Sequence, residues 1–311
     1  SKTGGSGRGG GGGGGKDLSD TPQTHLSTAW KLAMAGGYGA LIAVNAMAMN
    51  GTMGPTNAKI SGLWPTSITP AGYAFSIWGI IFLLQGGGVV LSLASRSPDR
   101  SSVTLKNAAA VCKPWLLMWT AQNLWQLVFV HAPQSQSAPV SSQLAVFLPC
   151  SFFLCAAYAS ALEACRRLKE VESNAASSLF LRLPSAINAG WLSAASCIGV
   201  ALVGQSIAGG KEELGAALPV ALAGTASVGA MASLYSWGAG SLSLGYAASV
   251  SWALVAILRG SNASPPVRMA ASVGVGAIGM AAAAAILLAA VMKGKRQEGD
   301  SKAKPLAAQS M

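Results

Sequence analysis

Aromatic side chains recur at helical spacing within residues 71–95, and they are the side chains of this stretch that could contact a ligand. Phe75, Trp78, Gly79, Phe82 and Gln85 are separated by three, four or seven residues, so they are predicted to share one face of a helix. Aromatic rings stack on planar molecules. This face could therefore close a cavity around a flat apolar ligand, and ordinary helix packing is the alternative.

A second stripe, of aromatic and amide side chains, lies within residues 108–131. The residues that recur every three or four positions are Trp115, Trp119, Gln122 and Gln126, and Asn123 and Trp125 lie beside them. Amides inside a hydrocarbon layer must find hydrogen-bond partners. Two interpretations stay open at this point, namely hydrogen bonds between helices and direct contact with a ligand.

A short loop precedes the first stripe and would position it. The loop contains Trp64 and Pro65, and Thr69 is placed to cap a helix that starts at Pro70, because proline lacks the N–H that a first turn leaves unpaired. No charged residue follows until after Ser95, so the predicted α-helix is long enough to cross a bilayer. The loop is a candidate lid over the cavity.

The composition places both stripes in a membrane protein. Of the 311 residues 51% are hydrophobic and only 10% are charged, whereas soluble domains carry about 25% charged residues. Apolar runs of about 20 residues recur along the chain and predict an all-α integral membrane protein, a polytopic bundle of eight transmembrane helices. The predicted spans are 32–49, 71–95, 108–131, 143–165, 183–207, 217–236, 241–258 and 269–292.

Loop charges favour this number of spans. With both termini on the cytoplasmic or equivalent side, 17 of the 21 Lys and Arg residues lie inside and 4 lie outside, as the positive-inside rule requires. The net charge of +11 then orients the helices and does not indicate nucleic-acid binding. The expected partners are membrane lipid and a hydrophobic small molecule.

The chain divides into four parts. Residues 1–31 form a Gly-rich tail predicted to be disordered, whose basic start is also compatible with an organelle transit sequence and an organelle membrane. Residues 32–207 form a five-helix ligand-binding core. Residues 208–292 form a three-helix extension rich in small residues, predicted to be scaffold or a homo-oligomer surface. Residues 293–311 form a basic tail, also predicted to be disordered.

The sequence resembles the tryptophan-rich sensory protein family, also called the translocator protein or TspO/MBR family, over residues 30–207. The resemblance rests on three motifs in the family's order: Trp64-Pro65 with Thr69-Pro70, Tyr73, Phe75 and Trp78; Gln122-Asn123-Leu124-Trp125 with Phe129; and Leu181-Arg182-Leu183-Pro184 with Trp191. Ser185 stands where the family usually has a tyrosine after the proline. The longer family members, which extend the core at the C-terminus, are the most similar.

The resemblance implies a cavity among the five helices that accepts porphyrins and other flat hydrophobic ligands. Together with the two stripes, it selects these candidate ligand-binding residues: Trp64, Pro65, Tyr73, Phe75, Trp78, Phe82, Trp119, Gln122, Asn123, Trp125 and Trp191. A tetrapyrrole is the candidate ligand, and no cofactor follows from the residues alone.

Four functions are compatible with these features. A receptor or regulator that binds a planar ligand fits the stripes best. A transporter of charged solutes would be expected to carry charges within its spans, which are nearly free of them. An enzyme acting on bound porphyrin by tryptophan-assisted photochemistry would need no acid–base set, and neither a Ser-His-Asp set nor a metal cluster is visible. A structural membrane subunit would account for the small-residue extension.

Overall fold

A computed structural model describes residues 26–95, 102–209 and 217–307. Every regular element in these ranges is helical: α1 Thr28–Met49, α2 Asn57–Leu63, α3 Ile77–Ala94, α4 Val103–Phe129, α5 Val140–Lys169, α6 Ala175–Ser177, α7 Leu183–Ile207, α8 Ala217–Trp237, α9 Ser241–Arg259 and α10 Pro265–Ala307. A 3₁₀ turn at Gly72–Ser76 leads into α3, and a π-helical turn at Ser178–Arg182 joins α6 to α7. Most of the predicted N-terminal tail, together with Arg96, Arg100 and Lys211, lies outside the described residues.

The long helices confirm the prediction of a polytopic membrane bundle. In the described ranges seven helical segments are long and apolar enough to cross a membrane, and they contain α1, α3, α5, α7, α8, α9 and α10. The eighth long helix is α4, whose amides and lysines interrupt its apolar stretches, so it contains no comparably apolar window of 18 residues. It packs along α1, α3 and α5, so it traverses the same thickness as they do.

Several helices extend beyond the predicted spans by one or more polar turns. α1 begins at Thr28, where Ser27 accepts a hydrogen bond from the backbone N–H of Trp30. α10 continues to Ala307 and so enters the segment predicted to be a disordered tail. The straight-chain Lys, Arg, Gln and Glu residues there are good helix formers. Hydropathy marks the hydrocarbon layer, whereas capping and propensity decide where a helix ends.

Successive long helices alternate in direction, which gives the bundle two distinct ends. The α2 face is the end where α1, α4, α7 and α9 finish and α3, α5, α8 and α10 begin. α1 begins and α10 ends at the opposite end, the terminal face. The predicted tight hairpin between α8 and α9 lies on the terminal face, where Gly238 adopts a φ of 70° that other residues rarely reach.

Glycines allow several helices to approach closely. Gly86, Gly87 and Gly88 of α3 face Tyr38 of α1 and Phe180 of the π-helical turn, and side chains added at these glycines would collide with those two residues. The extension packs in the same way, because Gly190 of α7 lies against the α9 backbone. The last three spans therefore form one packed body with the first five.

The start of α3 differs from the prediction, and α9 is the reason. Thr69 does not cap a helix, because its Oγ1 accepts the backbone N–H of Thr66 at 2.7 Å. The backbone N–H of Ala71 instead donates to the carbonyl of Ala256 on α9, at 2.9 Å. Trp252 of α9 donates its indole N–H to the carbonyl of Ala74 at 3.0 Å. The extension thus fixes the 3₁₀ turn that presents the first aromatic stripe.

Candidate functional site

A cavity lies near the α2 face, between α2, the start of α3, the end of α4, the start of α5 and the C-terminal half of α7. The space inside it that the centre of a water-sized sphere can reach is about 70 Å³. Small-molecule sites are concave and mostly apolar. The position and lining of this cavity make it the candidate ligand site.

Aromatic rings from several segments line the cavity. Phe75 comes from the 3₁₀ turn and Trp78 from the start of α3. Both meet Trp191 of α7 edge to face, with ring centroids 5.8 and 6.2 Å apart. On α4, Trp125 stacks on Phe129 at 5.1 Å and an interplanar angle of 21°. The remaining two aromatic lining residues, Trp64 of the loop and Phe147 of α5, meet at 5.1 Å. The lining therefore offers several flat ring faces at different angles.

Small and aliphatic side chains of α5 and α7, which the sequence alone did not single out, line another part of the cavity. Cys150 and Leu154 follow Phe147 on α5. Ala195, Ile198, Gly199 and Leu202 follow Trp191 on α7. Both sets have helical spacing, but the lipid-exposed residues of α5 include equally apolar side chains, such as Leu148 and Phe152. The spacing was the available signal, and it could not distinguish the cavity from lipid.

Polar contacts hold α2 over the cavity. The side-chain amides of Asn57 on α2 and Gln126 on α4 exchange two hydrogen bonds, each 2.8 Å long. The Trp64 indole N–H donates to the carbonyl of Pro133 at 2.7 Å. Gln136 donates to the carbonyl of Leu63 at 2.6 Å, from the same loop between α4 and α5. Gln126, a member of the second stripe, thus forms a contact between α4 and α2.

The structure brings five of the eleven candidate residues to the cavity lining: Trp64, Phe75, Trp78, Trp125 and Trp191. Two others are buried among the helices. Trp119 donates its indole N–H to Gln85 Oε1 at 3.1 Å, and Gln122 donates its amide N–H to Asn188 Oδ1 at 3.3 Å. These contacts agree with the interpretation that the second stripe forms hydrogen bonds between helices.

The other four candidates surround the lining. Tyr73 is 40% exposed and packs edge to face on Trp252. Phe82 stacks on Trp78 from the next turn of α3, at 5.4 Å. Pro65 and Asn123 are half-buried, away from the cavity lining. Gly79 is exposed, so the buried face of α3 runs instead through Ile77, Ile81, Gln85 and Gly88.

Three tryptophans of the lining differ from four other tryptophans in the hydrogen bonding of their indole N–H. Trp64, Trp115, Trp119 and Trp252 donate their indole N–H to protein acceptors. Within the described ranges, the indole N–H groups of Trp78, Trp125 and Trp191 donate to none. A buried indole normally finds an acceptor. Three lining tryptophans thus have an indole N–H without a protein acceptor in the described residues.

Comparison of the chain with known proteins gives one family match. The family model described as TSPO-like protein matches residues 31–287. The match does not stop at residue 207, where the resemblance found in the motifs ends, but continues through α8, α9 and about half of α10. Neither a curated protein nor a solved structure matches the chain. The family match covers most of the 311 residues, and the chain therefore belongs to the TSPO-like protein family.

Proposed function

We propose that this membrane protein is a receptor that binds a planar hydrophobic ligand, such as a tetrapyrrole, for sensing or regulation. The observation that best supports this proposal is the aromatic cavity near the α2 face. Phe75 and Trp78 line one side of it, and Trp125 and Phe129 line another. Trp191 also lines the cavity. Aromatic pairs contribute about 0.5–1.5 kcal/mol each beyond the burial of their area. A planar ligand that reaches two or more of these rings would gain that contribution several times.

The amide contacts of α2 are compatible with local opening of the cavity. Asn57 and Gln126 satisfy each other, so α2 stays closed without a ligand and hides no unpaired amide at this contact. The seven-residue helix makes few other polar contacts, so local opening would break a small number of hydrogen bonds. We propose that a ligand enters by displacement of α2.

Titration of the protein in nanodiscs with a porphyrin tests the binding function. We expect tryptophan fluorescence to be quenched saturably, because four of the nine tryptophans line the cavity. The double variant Trp78→Phe, Trp125→Phe should lose much of the quenching, while porphyrin absorbance still reports binding. Mass spectrometry of protein purified in mild detergent should identify any co-purifying planar compound.

A matched control is Trp237→Phe, since Trp237 lies at the end of α8 on the terminal face. This variant should keep the cavity-dependent quenching. Failure of the folded wild-type protein to bind any member of a panel of planar hydrophobic compounds would overturn the proposed function. Stable co-purification in a larger complex would then favour a structural subunit, and flux in proteoliposomes would favour a transporter.

We also propose that the terminal face is cytoplasmic or equivalent and that the α2 face is external. Nine described Lys and Arg residues lie at or near the terminal face: Lys31, Lys106, Lys113, Arg166, Arg167, Lys169, Arg182, Lys293 and Lys295. Only Lys59, Arg259 and Arg268 of the described residues lie at the α2 face. A Lys59→Cys variant should react with an impermeant maleimide from outside intact cells or organelles. Labelling only after the membrane is permeabilised would reverse this orientation.

A further inference from the structure

An apolar stripe runs along α10 on the side that faces away from the bundle. The side that packs against the bundle consists of four buried residues: Val267, Ala271, Gly274 and Ile278. The stripe residues recur every three or four positions and are all exposed: Met269, Val273, Gly276, Met280, Ala283, Leu287 and Ala290. At 100° per residue they lie on average about 180° from the buried side. This heptad pattern continues over about three heptads, as in a helix that packs along another helix.

Large and small residues alternate along the stripe. The large side chains recur every seven residues: Val273, Met280 and Leu287. The small residues follow each of them: Gly276, Ala283 and Ala290. In a pair of such helices, each large side chain inserts between four residues of the facing helix. Glycine or alanine beside it leaves room for this insertion and lets two membrane helices approach closely.

The last apolar turns of α10 extend past the end of the bundle. α8 and α10 run in the same direction from the α2 face, and Gly274 lies against Ser227. α8 ends at Trp237, ten residues after Ser227. Because both helices rise 1.5 Å per residue, α10 passes the end of α8 near Ala284. Apolar residues nevertheless continue to Met292, about 12 Å further along the axis.

These projecting turns lie beyond the charged end of α5. Lys169, the last residue of α5, donates to the carbonyl of Ser236 at 3.1 Å, and Arg166 is exposed one turn before it. Charged side chains avoid the hydrocarbon layer, so the layer ends near this level. Residues 286–292 of α10 are exposed on every side of the helix. Apolar side chains exposed outside the hydrocarbon layer indicate a surface for a protein partner.

We propose that α10 binds the α10 helix of a second copy of this chain, side by side and in the same direction. Two copies with one orientation in the membrane are related by a two-fold axis along the bilayer normal, so equivalent stripe residues meet. No charged residue stands between Arg268 and Lys293 to oppose this pairing. In the sequence Glu298 follows Lys293 by five residues, the spacing at which g and e positions of two parallel chains pair. The pairing does not depend on a ligand in the cavity.

Cysteine cross-linking of the full chain in native membranes tests this pairing. Leu287→Cys and Leu288→Cys are each made in a Cys155→Ser background, because Cys155 is exposed and the other four cysteines are buried or half-buried. We expect copper phenanthroline to link Leu287→Cys into a homodimer. Leu288→Cys lies about 100° further round the helix and should give at least about fivefold less dimer, since a disulfide needs Cβ atoms about 4 Å apart.

A second pair of variants tests association without a covalent bond. Ala283→Leu should raise the dissociation constant of the dimer by about tenfold, because a bulky side chain on the stripe separates the helices. Ala289→Leu is the matched control, since Ala289 is also exposed and lies about 150° from the middle of the stripe. Single-molecule photobleaching of the labelled chain in lipid vesicles counts the copies in each complex.

Three results would overturn the inference. The first is equal cross-linking of Leu287→Cys and Leu288→Cys. The second is a wild-type chain that stays monomeric at every density in the vesicles, which would mean that lipid alone covers the stripe. The third is a cross-linked product whose mass identifies a different protein as the partner.

Discussion

Replacement of Ala195 by Phe is expected to weaken porphyrin binding by about 10- to 100-fold. Ala195 lies on α7 one turn after Trp191, and its side chain lines the cavity. A phenyl ring at this position would occupy the space between the tryptophans without adding a charge or removing a hydrogen bond. Absorbance titration in nanodiscs measures the change in Kd directly.

The control for this substitution is Ile207→Phe, in the last turn of the same helix. Ile207 is 66% exposed to the bilayer region and is not part of the lining, so the added ring should leave the Kd unchanged. Thermal unfolding of both variants in detergent verifies that the fold survives. Wild-type affinity in a folded Ala195→Phe protein would show that the ligand binds elsewhere.

Gly88→Ala is expected to destabilise the protein despite the better helix propensity of alanine. A methyl group at this position would collide with the carbonyl oxygen of Phe180, in the backbone of the π-helical turn. Overpacking typically costs about 1–3 kcal/mol, and the gain from replacing glycine in a helix is about 1 kcal/mol. The net effect should be a lower Tm in mild detergent.

Gly79→Ala, on the same helix, is not expected to destabilise the protein. Gly79 is exposed, and a methyl group there meets no atom within 4 Å. Only the propensity gain remains, so the Tm should stay the same or rise slightly. Similar Tm changes for the two variants would indicate that α3 does not pack against the π-helical turn as closely as the structure has it.

The three C-terminal helices contact segments that line the cavity. α9 holds the 3₁₀ turn at Gly72–Ser76 through Ala256 and Trp252, and this turn places Phe75 at the lining. The hydroxyl groups of Tyr158 on α5 and Tyr246 on α9 lie 2.7 Å apart, which links the extension to a second helix of the cavity. The family match across these helices is consistent with a single structural unit.

The sequence by itself determined the number and placement of the long helices. Apolar runs of about 20 residues can cross a bilayer only as helices, because every backbone polar group must be satisfied inside the lipid. Helical periodicity also identified the buried side of α4, where Trp115, Trp119, Gln122 and Gln126 are all at most 4% exposed. These features depend on local chain properties, so they can be read without knowledge of neighbouring helices.

Only the tertiary structure decided which residues meet at the cavity. Trp119 and Trp125 lie on the same helix, yet the first contacts Gln85 and the second lines the cavity. Periodicity defines the faces of a helix, but not which neighbour each face meets or at what depth. That choice follows from close approaches such as Gly88 against the π-helical turn and from the contact of Asn57 with Gln126. Both contacts join residues far apart in the chain, and packing of the whole bundle sets their geometry.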